Sequence, residues 1–468
     1  MDRWTTADDI ASEYWRGSIA PRAREEYDGP HRMSNPRKLE GKESGRPPAA
    51  ASEERHDRAV LAVPRAWLIA GAVLLVVPWL VVLAFYLRSA APQAAAVPAP
   101  AGSPSKPAAA GPWGHLTITP IVVSPPLEYV AADWGRPEEP YRWYFPGTST
   151  DVLHAFLSST GLTADQVARL ESTVRPENRI RGLTLQPDLD LLRSLDPQVR
   201  SRLYLQLAKS QLNGDQGNSF RFFGTSTDAW LEGTSISPET RQLIEPLIYR
   251  DGNIMHFADA EIVRSRITDT TERQRLAKAL LRQSTMLVRL SVDETSEIPQ
   301  LAQYWGRGGR ATDVRPLLES VAGTDASGDI DIVHLLPSFA RNRLYRYPRI
   351  TTGDLNKPAL ANCLWTALNF FRQEPDDRFL DVNTALTALR QDYHIVESAF
   401  QLGDIIALLD AEGDLFHVVV YLADDLVFTK NGVSPVSPWT IMPLDRVKDY
   451  YRTNSDNPRL IYHRRNDF

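Results

Sequence analysis

With 468 residues the chain has room for two or three domains, and a hydrophobic share of 43% beside 24% charged residues is that of a globular protein able to bury a sizeable core. The formal net charge of -6 supplies no overall basic surface, which argues against nucleic acid as a partner and against broad adhesion to anionic lipid. A single cysteine, Cys363, rules out an intrachain disulfide and a thiolate zinc cluster, so the fold stands on packing alone.

Residues 1–65 mix basic and acidic side chains with scattered Pro and Gly and little apolar periodicity, the composition of a disordered tail. An uncharged run rich in Val, Leu, Ile and Trp follows from Ala66 to Leu87. As a helix rising ~1.5 Å per residue it reaches about 33 Å, enough to cross the hydrocarbon core of a bilayer. Arg55, Arg58 and Arg65 precede it, whereas Arg88 and Lys106 alone follow closely, a bias that puts the N-terminus inside. The expectation is a single-pass membrane protein with a cytoplasmic tail and extracytoplasmic C-terminal domains, periplasmic or wall-facing. Residues 88–112, mostly Ala and Pro with Gly and Ser, read as an extended linker.

Residues 113–340 read as a mainly α-helical domain. Thr163 with Gln166 forms a capping box ahead of Val167 and Leu170. The stretch Asp188 to Lys209 divides into two helices at Asp196-Pro197, an N-cap followed by a first-turn proline. Apolar residues at three- and four-residue steps extend a further helical reading from Glu272 to Leu290. No motif in this region carries chemistry, and its protein partners are unknown. Tyr304-Trp305-Gly306-Arg307-Gly308-Gly309-Arg310 has two readings, a face offering cations and aromatics to a glycan or acidic peptide, or a Gly-rich turn around a buried Trp.

In residues 341–468 the pattern changes. Leu360 to Phe371 and Val382 to Arg390 read as helices, and Ile405 to Leu409, Phe416 to Leu422 and Leu426 to Lys430 as strands separated by turns. Cys363 then lies near a helix start, His417 at the start of a strand and Asn431 at the end of the next. Each suits thiol catalysis: Cys363 as nucleophile, His417 as base and then acid, and Asn431 as acceptor that fixes the imidazole tautomer. If Asn362 is the N-cap, Cys363 is the first helical residue and its own N–H is available to an oxyanion. A three-residue loop Ala423-Asp424-Asp425 sets His417 opposite Asn431, whereas a two-residue turn at Asp424-Asp425 sets it opposite Gly432. Asp424 and Asp425 are alternative orienting acids and His394 an alternative base. The nine histidines form no spaced metal-binding pair, so neither a metal nor a cofactor is called for.

From Asn362 to Asp445 the chain resembles the NlpC-type cell-wall peptidases of the papain-like superfamily. The resemblance rests on Asn362-Cys363 entering a helix, on Gly403-Asp404-Ile405-Ile406-Ala407 opening a strand, and on His417-Val418-Val419-Val420-Tyr421-Leu422 followed by Asp425-Leu426-Val427-Phe428. The place of that family's third polar residue falls at Thr429, with Asn431 two further on. The resemblance implies an α+β, papain-like C-terminal domain in which a helix bearing Cys363 packs on an antiparallel sheet bearing His417. It also implies a hydrolase, a cysteine peptidase or amidase cutting amide bonds in peptidoglycan stem peptide or a related substrate. The alternative from another class is a catalytically inactive extracytoplasmic binding or scaffold protein with the same fold.

Overall fold

The computed structural model describes residues 96–98, 106–109, 111–127, 130, 141–177, 181–210, 212–224, 226–323, 328–348, 361–432, 437–452 and 454–468. All of them fall within one of two compact units, the one that includes Pro92–Phe468. The tail expected over 1–65, the transmembrane helix expected over Ala66–Leu87 and most of the linker expected over 88–112 lie outside the described residues.

The architecture corrects the expected fold class. The described chain is mixed α/β with antiparallel sheets, and residues 113–340 carry three such sheets beside their helices. Among the described residues no helix is long and apolar enough to cross a membrane; the longest, Ala311–Ala322, has 12 residues, where a span needs ~20. The transmembrane element of that fold class is therefore not supported.

The sheets of the first region explain why periodicity misled. Helix Thr270–Leu280 stops where the helical reading continued, and the chain turns into β1, Gln283–Val292. In this stretch Met286, Val288, Leu290 and Val292 are buried at every second position, the alternation of a strand with one face on a core. Strand His115–Val123 pairs with β1 in an antiparallel sheet. Two three-stranded sheets, built around Gly182–Leu185 and Ile254–Phe257, complete the region. The local start signals hold: Thr163 and Gln166 form the reciprocal capping box, and Asp196 caps Pro197–Leu207, separate from Leu189–Ser194.

The C-terminal part is a six-stranded antiparallel sheet with helices against it. In chain order its strands are β2, Tyr393–Val396; β3, Ile405–Leu409; β4, Leu415–Ala423; β5, Leu426–Lys430; β6, Trp439–Pro443; and β7, Arg459–Arg465. They lie in the order β2-β7-β3-β4-β5-β6. Helix α1, Cys363–Leu368, packs on β4 and β5 through Leu364, Trp365 and Leu368, which share a core with Val418, Val420 and Phe428. The other face of the same strands, with Val419, Tyr421 and Val427, meets α2, Leu444–Tyr450, through Val447.

The core under α1 runs on into the first region, where Val288, Trp305 and Phe339 belong to it. Thr285 Oγ1 on β1 donates to Ile441 O at 2.9 Å and accepts from Ile441 N at 3.0 Å. Tyr304 donates to Leu422 O at 2.6 Å and Tyr345 to Met286 O at 2.6 Å.

Candidate active site

The first residue of α1 is Cys363. Asn362 is extended and caps the helix, its Oδ1 accepting from Trp365 N at 2.8 Å, which satisfies one of the orphan donors of a helix start. Trp439 on β6 fixes the helix against the sheet by donating its indole N–H to Thr366 Oγ1 at 3.0 Å.

The hairpin β4–β5 combines the two loop readings. The turn has two residues, Asp424 and Asp425, between the paired Ala423 and Leu426, and Asp424 takes φ +52°. An irregularity between Tyr421 and Ala423 then shifts the register, so that Tyr421 pairs Val427 and Val420 pairs Phe428. Carried back along the strands, that phase sets His417 against Asn431. The ladder itself stops at Val420 and Phe428, although β4 continues on β3 and β5 on β6. The sheet splits between β4 and β5, and the candidate residues flank the split.

On one face of the split, His417, Thr429 and Asn431 are buried. Thr429 Oγ1 lies 3.0 Å from His417 Nε2 and donates to Asn431 Oδ1 at 3.1 Å, while Asn431 Nδ2 donates to Met442 Sδ at 3.2 Å. A hydroxyl has one proton. With Thr429 giving it to Asn431, its oxygen accepts from His417, which places the imidazole proton on Nε2 and leaves Nδ1 basic. Asn431 thus acts through Thr429, and the position that the family resemblance singled out stands in direct contact with the ring. Tyr451 stacks on that ring at 4.2 Å and 30°. Burial pushes the imidazole down to about 3, so His417 is neutral at physiological pH.

Cys363 is on the α1 face. Amide N–H groups of Val418, Leu364 and Cys363 itself lie close enough to the sulfur to favour thiolate, as does the charge of Lys430, but burial outweighs them and raises the thiol above its ordinary value. The residue as a whole is half-buried and packs against the core under α1. Val418 directly follows His417 in β4. Among the described residues no hydrogen bond joins Cys363 to His417.

The other candidates separate from this cluster. Asp424 Oδ2 accepts from Ala109 N at 3.0 Å in the turn, at the far end of the hairpin from the split. His394 pairs through Nδ1 with Asn466 at 3.0 Å on an exposed strand edge. Asp404, of the Gly403-Asp404 pair, is a structural anchor: at 1% exposure it receives Arg464 at 3.0 and 2.7 Å and Arg307 at 3.3 Å. The Gly-rich segment is the turn around a buried Trp, with Trp305 fully buried, Arg307 on Asp404, and Arg310 donating to Leu335 O and Trp305 O. No group of three or more His, Cys, Asp or Glu suited to a metal occurs among the described residues. Two members escaped the sequence reading, Tyr451 and Lys430. A lysine ending a β-branched strand was the available signal for the second, since its alternation with Phe428 points it at the core.

Compared with known proteins, the chain matches no family model, no curated protein and no solved structure. Nothing in these comparisons indicates the NlpC-type family, and that resemblance rests on the residues alone.

Proposed function

We propose that the chain is a cysteine-dependent hydrolase of amide bonds, with Cys363 as nucleophile and His417 as base and then acid, acting on a peptide of the cell-wall stem type or a related amide. The observation that carries this reading is the hydrogen-bond chain Asn431–Thr429–His417, in which an imidazole proton on Nε2 leaves Nδ1 as the proton acceptor. In the reaction Nδ1 takes the thiol proton as sulfur attacks the carbonyl carbon, and the Cys363 N–H donates to the oxyanion. The imidazolium then protonates the departing amine, leaving a thioester that water, deprotonated by His417, hydrolyses. Nδ1 must close on the sulfur in the substrate complex, as catalytic hydrogen bonds often do.

The reading as a binding protein draws on a different observation: His417 is 1% exposed and lies under Tyr451, as a structural histidine does. Release of new amino groups from purified peptidoglycan stem peptides by the full chain separates the two. Hydrolysis that disappears in Cys363→Ser and falls at least a hundredfold in His417→Ala supports the enzyme. Binding of the same peptides without turnover, unchanged in both variants, overturns it in favour of the binding protein.

A further inference from the structure

A cavity of about 340 Å³ lies beside Leu368, the last residue of α1, at the opposite end of that helix from Cys363. Its volume is at the small end of the range for ligand sites. The floor is apolar: Leu368 and Phe379 belong to the core under α1, and Ala388, from helix Val382–Asp392, packs against it. Two guanidinium groups and two carboxylates share the walls, Arg372 and Arg465 with Asp392 and Asp467. The sheet edge assembles them. Tyr393, the first residue of β2, pairs with Arg465, the last of β7, which sets both side chains on one face. Asn466 N donates to Asp392 O at 2.8 Å and Asn466 Nδ2 to Gln391 O at 3.1 Å, tying the end of helix Val382–Asp392 to the segment that carries Asp467.

The internal pairing of these charges is incomplete. Arg372 lies over the Phe379 ring at 5.2 Å, and its Nε is buried without a hydrogen-bond partner. Asp376 Oδ2 is 3.8 Å from Arg372 Nη1, beyond hydrogen-bond reach, and the same carboxylate accepts from Arg378 at 3.0 and 2.7 Å. A buried donor without an acceptor is costly, and a carboxylate is the group that matches the planar guanidinium fork. An anion alone would also face Asp392 and Asp467, whereas a molecule carrying both charges satisfies both signs. We infer that this cavity binds a small zwitterion with an apolar side chain, of the α-amino acid class. Its carboxylate sits on Arg372, its ammonium faces Asp392, and its side chain rests on Leu368, Phe379 and Ala388. Arg465, 3.0 Å from Asp467, closes the opposite wall. Burial pushes the Tyr393 phenol up to about 12, so at neutral pH it keeps its proton and can donate to the bound carboxylate. The inference is independent of the hydrolase reading, since Cys363, His417, Thr429 and Asn431 do not line the cavity.

Titration of the full chain with the two enantiomers of phenylalanine and of leucine, followed by calorimetry and by ligand-observed NMR, tests it. At least one of the four should bind. Against phenylalanine, 3-phenylpropionate lacks the ammonium and phenethylamine lacks the carboxylate, and each should bind at least about tenfold more weakly. Arg372→Gln should weaken the amino acid at least about tenfold. Asp392→Asn should do the same and abolish the preference for phenylalanine over 3-phenylpropionate. The Arg372 side chain is 39% exposed and Asp392 is exposed, so both variants should fold; should Arg372→Gln fail to, the Asp392→Asn preference decides. Binding should be unchanged in Cys363→Ser, so the result stands apart from the hydrolysis assay. Three outcomes overturn the inference: no binding by any of the four amino acids, 3-phenylpropionate binding as tightly as phenylalanine, or amino-acid binding that is unmoved in the folded variants.

Discussion

His417 illustrates how burial decides a residue's chemistry. A histidine in water takes up a proton near 6.5; this one holds out to about 3 because its ring is sealed between the sheet and Tyr451. The folded state therefore binds fewer protons than the unfolded state between those values. Stability from this residue is complete above about 6.5 and is lost as pH falls toward 3. His256, lowered to about 3, acts in the same direction, and Asp215, raised to about 7, in the opposite one, so the useful quantity is a difference. The unfolding free energy of wild type minus that of His417→Phe should fall by about 1.4 kcal/mol per pH unit below 6.5 and stay level above it. Urea titrations at pH 4.5, 5.5, 6.5 and 7.5 measure it, and a level difference throughout would mean that His417 is open to solvent. Thr429 gives a second test at this scale. Thr429→Val keeps the shape but strands the His417 Nε2–H and the Asn431 carbonyl, which costs about 1–3 kcal/mol. It also frees the tautomer, so hydrolysis should drop roughly a hundredfold while Thr429→Ser stays near wild type. Equal activity in the two variants would remove Thr429 from the proton order.

Elements were legible where a signal is local. The Thr163 capping box and the Asp196-Pro197 helix start need only neighbouring residues, and Asn362 as N-cap of α1 belongs with them. That last cap has a measurable weight: Asn362→Ala should cost about 1 kcal/mol in urea unfolding, with Asn362→Ser recovering most of it. A loss below a few tenths would mean that packing of Trp365 alone holds the first turn. Nonlocal features were not legible. Leu287 and Leu290 fit a helical stripe as well as Met286, Val288 and Leu290 fit a strand, and what selects the strand is His115–Val123, far away in sequence. In the same way the turn at Asp424-Asp425 implied one register and the bulge beside Leu422 restored the other. The types Cys363, His417 and Asn431 were readable, but the bridge through Thr429 depended on that phase, and Lys430 depended on knowing which face α1 covers.

At the scale of the molecule the site is supported from both halves of the described chain. Its outer strand β6 is held by β1, through a Thr285 hydroxyl that both donates to and accepts from Ile441, and Thr285 is fully buried. Valine has the same shape and no hydroxyl, so Thr285→Val leaves a backbone N–H and a carbonyl unpaired in the core. The expected loss is about 2–6 kcal/mol, since each of the two stranded groups costs about 1–3. Leu317→Gln, at a position 42% exposed, should stay within about 0.5 kcal/mol of wild type as the control. The core under α1 joins Val288 and Trp305 to Val418 and Phe428, so the destabilised protein should still unfold in one cooperative transition, with tryptophan fluorescence and far-ultraviolet circular dichroism coinciding. Cys363 alkylation should accelerate over the same urea range, because the half-buried residue packs against that shared core. If Thr285→Val instead splits the transition, with Cys363 becoming reactive in only one of the two steps, the C-terminal sheet closes its site without β1. The tie at Ile441 would then be packing between two independent folding units.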